Sequence, residues 1–109
     1  MDLINQFLPY VVKYDSLDRV KACFDDFYKY KSEAEKAYLW IDLQCQAAEI
    51  VASTDSKKSA DYLELAKKER EEKLWTYFFS PRRAEITHHA ELATARIKKA
   101  ASKCQGLSS

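Results

Sequence analysis

SEAEKAYLWIDLQCQAAEIVAS, residues 32–53, contains no glycine and no proline and reads as one long helix. Its first four residues have capping-box spacing: the Ser32 oxygen can accept from the Glu35 backbone N–H while the Glu35 side chain reaches back to the Ser32 N–H. Behind that start, Ala34, Tyr38, Ile41, Cys45, Ala48 and Ala52 recur at steps of three and four, with Leu39, Leu43, Ala47 and Ile50 as a second stripe beside them. Glu35, Asp42, Gln46 and Glu49 form the narrow polar strip that remains. A helix that is apolar over so much of its circumference is covered on more than one side, so this segment is expected at the centre of the fold.

Upstream, Leu3, Ile4, Phe7, Leu8, Val11 and Val12 keep helical spacing but are interrupted by Pro9, which predicts a short kinked or broken helix over residues 2–14. Ser16 reads as the N-cap of the next helix, whose core face is Leu17, Val20, Phe24 and Phe27. Downstream, the run STDSKKS from Ser53 to Ser59 is a loop, because its short polar side chains compete for backbone hydrogen bonds; Ser56 or Ser59 is expected to cap the helix beyond it.

This helix is expected to reach Phe79, where Ser80-Pro81 pairs a favoured N-cap with proline at a first helical position. The last helix then runs from Pro81 to about Lys103 and closes near Gly106, with Ile86, Ala90, Ala93, Ile97, Ala100 and Cys104 as an alanine-rich stripe. At about 1.5 Å per residue the last three helices are each expected to be roughly 30 to 35 Å long.

One Gly and two Pro in 109 residues leave little for the turns of a β fold. The fold class is therefore all-α, a small antiparallel helical bundle of four to five helices, with residues 1–109 forming a single domain. No stretch approaches the roughly 18 uninterrupted apolar residues of a membrane span. Asp2, Asn5 and Gln6 sit where the apolar part of an export signal would lie, and Cys23, Cys45 and Cys104 have no CxxC spacing. These features predict a cytoplasmic protein whose cysteines are reduced thiols buried in the core, with no membrane association and no cofactor.

Catalytic signatures are scarce. Glu85 and His88 have the E-x-x-H spacing of di-iron bundles, but such a site needs the motif twice, and the only other histidine is the adjacent His89. No metal site is expected; one histidine should lie at the core boundary and its neighbour in solvent. With no phosphate-cradling glycine motif and no evident triad, no catalytic residue is assigned and the chain is read as a non-enzyme.

Function is left to the surfaces. Lys67 to Lys73, KKEREEK, has no apolar residue on any face and reads as a solvated stretch held by i,i+4 ion pairs, with a charged docking surface as the alternative. Next comes LWTYFFSPRR, residues 74–83, whose aromatics spread around the helix so that at least one should face outward. Arg82 and Arg83 there oppose the positive end of the following helix dipole, a mild cost unless something else uses them. Since exposed Trp, Tyr and Arg dominate binding hot spots, Trp75, Tyr77, Phe79, Arg82 and Arg83 are the expected contacts with a protein partner.

The leading reading is thus a non-enzymatic protein-binding module: an accessory subunit, an adaptor or a small inhibitor that covers a partner's surface. The alternative is a nucleic-acid-associated helical protein. The sequence is uneven in charge, with six basic and two acidic residues in 81–109 against six and nine in 1–54. Arg96, Lys98, Lys99 and Lys103 could meet phosphates, although the acidic first half could cancel them internally. Aromatics among lysines from Phe24 to Tyr38 could stack bases, but Asp25, Asp26, Glu33 and Glu35 oppose a phosphate backbone; Tyr28 and Tyr30 are expected at the rim with buried rings. A homodimer through the alanine-rich face of the last helix is a further possibility.

Overall fold

The structure, a computed structural model, describes residues 17–75 and 79–108. Among these residues it is all-helical and holds four helices: α1 Leu17–Phe27, α2 Glu33–Val51, α3 Ser56–Lys73 and α4 Arg83–Ser108. The helix expected over residues 2–14 and the Ser16 cap lie outside the described residues.

The α2 start agrees with the capping-box reading in one half. Ser32 Oγ accepts from the Glu35 N–H at 3.2 Å, while the Glu35 carboxylate turns to Lys31 Nζ at 3.0 Å. At the head of α3 the cap is Asp55, which accepts from the Lys58 N–H at 3.0 Å, and not Ser56 or Ser59. Ser59 sits one turn inside the helix, buried, where its hydroxyl donates to the Ala48 carbonyl at 2.8 Å and stands 3.3 Å from the Cys104 thiol. One side chain therefore meets α2, α3 and α4.

The contacts between helices keep an order along the chain. Ser59, early in α3, meets Cys104, late in α4, while Arg70, late in α3, meets Ala90 and Thr94 in the first half of α4. Between α2 and α4 the order is the same in both: Tyr38 lies beside His89, Asp42 beside Arg96, and Glu49 beside Lys103.

The central place expected for α2 holds, because it contributes to two buried clusters; the stripes are drawn differently, however, since Ile50 is 50% exposed while Trp40, outside both stripes, is buried. One cluster gathers Val20 and Phe24 of α1 with Trp40, Leu43 and Ala47 of α2 and Tyr62 of α3. The other joins Ile41 and Cys45 of α2 to Ala66 of α3 and to Ala93, Ile97 and Ala100 of α4. The alanines let α4 approach closely, so the stripe expected as a dimer face is already packed against the chain's own helices.

On α1 the step of four from Val20 to Phe24 continues to buried Tyr28, leaving Phe27, expected on that face, 43% exposed. Phe24 meets Trp40 edge-on with ring centroids 5.0 Å apart, an arrangement that favours the quadrupoles of both rings. Lys21 Nζ lies 4.7 Å from the Trp40 ring centroid and 3.7 Å from the Glu69 carboxylate, tying α1 to α2 and α3.

Three helix ends depart from expectation. α3 stops at Lys73 and not at Phe79, because Leu74 turns into the core and its backbone takes φ −116°, ψ 24°, outside the helical well. α4 begins at Arg83 after a turn, and runs past Gly106 to Ser108. With 19, 18 and 26 residues, α2 and α3 are near the expected length while α4 is longer, at about 39 Å.

Candidate functional site

The surface that stands out is the turn between α3 and α4. Leu74 anchors it: its N–H donates to the Arg70 carbonyl at 2.9 Å while its side chain packs with the α2 and α4 core. Immediately beyond, Trp75 is 51% exposed, and Phe79 at the far side of the turn is 90% exposed. The chain is brought round by Ser80, whose carbonyl accepts from the Arg83 N–H at 3.2 Å and whose hydroxyl oxygen accepts from the Arg82 N–H at 3.3 Å. Arg82 and Arg83 are both exposed. The turn thus carries four of the five expected contacts, Trp75, Phe79, Arg82 and Arg83; Tyr77 lies outside the described residues.

Phe79 is the informative residue. The large aromatics of the core, Phe24, Trp40 and Tyr62, are withdrawn to 4% exposure or less. Leaving a phenyl ring in water forgoes about 1.5 to 3 kcal/mol of burial.

The basic last helix is a different case. Arg96 Nε donates to Asp42 Oδ1 at 2.6 Å and Nη2 donates to the Glu49 carboxylate, whose other oxygen lies 3.3 Å from Lys103 Nζ. The Arg96, Asp42 and Glu49 side chains are 11 to 19% exposed. Burial pulls the Arg96 pKa down, yet its hydrogen bonds to Asp42 and Glu49 outweigh it and the net direction is up. Gln46 Nε2 completes the network by donating to Asp42 Oδ2 at 3.1 Å. Two of the four cations expected to meet phosphate, Arg96 and Lys103, are therefore committed to α2, while Lys98 and Lys99 are exposed. The signal was the acidic strip itself, since a polar strip on a central helix must be met by something polar.

The charged run Lys67 to Lys73 is only partly a solvated face. Arg70 crosses to α4, its Nε donating to Thr94 Oγ1 at 2.6 Å, and Thr94 in turn donates to the Ala90 carbonyl at 2.9 Å. Glu69 reaches Lys21, and Lys67 pairs with Glu64 at 3.4 Å. The run ties α3 to its neighbours, and no apolar periodicity could announce this because the ties are polar.

The aromatics among lysines do not form a flat platform. Tyr28 is buried as expected, but Tyr30 is exposed. Lys31 Nζ lies 5.3 Å from the Tyr30 ring and bonds to Glu35, a hydrogen bond that raises its pKa. The two histidines divide as expected: His89 is half-buried beside Tyr38, with Nδ1 2.9 Å from the Glu85 carbonyl, and His88 is exposed. Among the described residues no three of His, Cys, Asp and Glu gather where they could hold a metal ion.

A shallow cavity of about 250 Å³ opens between α3 and α4, lined by Ala52, Ser59, Leu63, Ala101 and Cys104 among others. The Ser59 hydroxyl there is engaged on the Ala48 carbonyl. Of the three cysteines expected in the core, Cys45 and Cys104 are buried but Cys23 is exposed on α1; burial pushes the Cys45 thiol up to about 12, far from a reactive thiolate at neutral pH. No helix of the described residues is long and apolar enough to cross a membrane.

Neither family models nor curated proteins nor solved structures yielded a match to this chain.

Proposed function

We propose that this chain is a non-enzymatic protein-binding module, an adaptor, accessory subunit or small inhibitor, that docks through the α3–α4 turn with Trp75, Phe79, Arg82 and Arg83. The observation that carries the reading is Phe79, almost fully exposed beside two exposed arginines, on a turn held to the core by Leu74. Exposed aromatic and arginine side chains are the types that carry most of the energy of interfaces. The scaffold belongs to the same reading: one antiparallel bundle domain in which α3 runs against both α2 and α4. A cytoplasmic location is part of it too, supported by Cys23, Cys45 and Cys104 standing as free thiols.

The nucleic-acid reading loses support from the Arg96 and Lys103 pairings, which leave the last helix with fewer cations to give. A homodimer would have to use a face other than the alanine-rich stripe. The test is a pull-down from the native source with the wild-type chain and with Arg82→Glu/Arg83→Glu as baits. A partner retained by the first and lost by the second, with both circular dichroism spectra alike, is the expected result; equal capture by both would remove the turn from consideration.

A further inference from the structure

Two cavities, of about 250 and 530 Å³, lie along the seam between α3 and α4 and share Lys67 and Ala101 in their walls. They therefore form one groove, which runs from Ser56 to Arg70 on α3, about 20 Å at 1.5 Å per residue. We infer that this groove binds a single-chain fatty acid, with the chain beside Leu63 and the carboxylate at Arg70 and Lys98. The groove shares no residue with the α3–α4 turn.

The two ends of the groove differ in chemistry. At the first, Ala52, Ala60, Leu63 and Ala101 form much of the wall, and the polar groups beside them are already engaged. The Ser59 hydroxyl donates to the Ala48 carbonyl at 2.8 Å, the Cys104 thiol stands 3.3 Å from the same oxygen, and Lys67 pairs with Glu64 at 3.4 Å. What this end offers a ligand is apolar surface. At the second end Lys67, Arg70 and Lys98 line the wall with a single acid, Glu71. Arg70 gives its Nε to Thr94 Oγ1 at 2.6 Å and to the Ala90 carbonyl at 3.3 Å, which fixes the guanidinium against α4. Its two terminal nitrogens have no partner among the described residues, and exposed Lys98 has no ion pair there, with Glu71 or any other acid. A guanidinium held by Nε, with its remaining N–H groups open beside an unpaired ammonium, is a donor set for a carboxylate. Ligand sites combine apolar walls with a few placed polar groups. Here the two are separated along one axis, as they are in a molecule with an apolar chain and an anionic head.

The experiment titrates the full chain with hexanoate, octanoate and decanoate below their micellar concentrations, followed by calorimetry and by amide chemical shifts. Expected is one-to-one binding that tightens about fourfold for each added methylene, with the shifts centred on Leu63, Ala101 and Lys98. Decylammonium, which has the same chain and the opposite charge, should bind about tenfold or more weakly. Lys98→Glu should weaken decanoate by a similar factor, while Lys98→Arg should bind it as the wild type does. The comparison of the two head groups uses the wild-type chain, so it stands whatever the variants do to folding. Equal affinity for decanoate and decylammonium would overturn the carboxylate site. Affinity that does not change with chain length would reduce the ligand to a bare anion and overturn the fatty acid. No heat and no shift change with decanoate would overturn the groove as a binding site.

Discussion

Arg96 and the pair Arg82 and Arg83 are the same residue type on the same helix or its threshold, and the fold treats them in opposite ways. Arg96 lies between α2 and α4 with both of its carboxylate partners supplied by the chain. Arg82 and Arg83 stand exposed on the turn that carries Phe79. The contrast shows that a basic stretch in sequence is not a basic surface. Charge counted along the chain separates into charge enclosed between helices and charge within a partner's reach, and only the second can recognise anything.

The largest effect should come from Arg96→Met, which strands Asp42 and Glu49 in a half-dry interface. A loss of about 3 kcal/mol in urea unfolding is expected, seen in a thermal melt as a fall of roughly ten degrees or more. Adding Asp42→Leu and Glu49→Leu to the same chain should recover most of it; no recovery would mean that the guanidinium stem, and not its charge, holds α4 in place.

Arg70→Met should cost less, about 1 to 2 kcal/mol, because one hydrogen-bonded crossing is lost and Thr94 keeps its bond to Ala90. A loss near zero would return the charged run to the role of a solvated face.

A smaller effect is expected from Cys45. Its folded pKa is raised from 9.0 to about 12 by burial, so the contribution of the neutral thiol is complete below pH 9 and is lost as pH climbs toward 12. Unfolding free energy should fall by roughly 1 kcal/mol between about pH 9 and 10, and Cys45→Ala should flatten that slope. At neutral pH a thiol reagent should label exposed Cys23 rapidly and reach buried Cys45 only on unfolding.

The smallest effect on stability is expected at the turn. Arg82→Glu/Arg83→Glu should move the unfolding free energy by less than about 0.5 kcal/mol while removing partner binding. A large destabilisation there would dissolve the contrast with Arg96.

The helical class, the central place of α2 and the Ser32 cap were legible because apolar periodicity and capping are local. So was the division of the histidines. The features that escaped are set by contacts between elements. Asp55 outcompetes Ser59 as a cap because Ser59 is needed against Ala48 and Cys104. The α3 end moves because Leu74 finds a place in the core, and that leaves Trp75 beyond the helix. Phe27 leaves the expected core face because the four-residue step from Phe24 to Tyr28 is the one that buries, and not the three-residue step to Phe27.

The pairing of α2 with α4 also has a kinetic side. Ser59 meets Ala48 across a separation of 11 residues, whereas Arg96 meets Asp42 across 54. Short closures are won early and long ones late, so α2 and α3 should assemble before α4 docks and its charge network locks. Arg96 variants should then have low φ-values, hastening unfolding while leaving the refolding rate almost untouched. This charge network would act as a latch that determines how long the native state lasts.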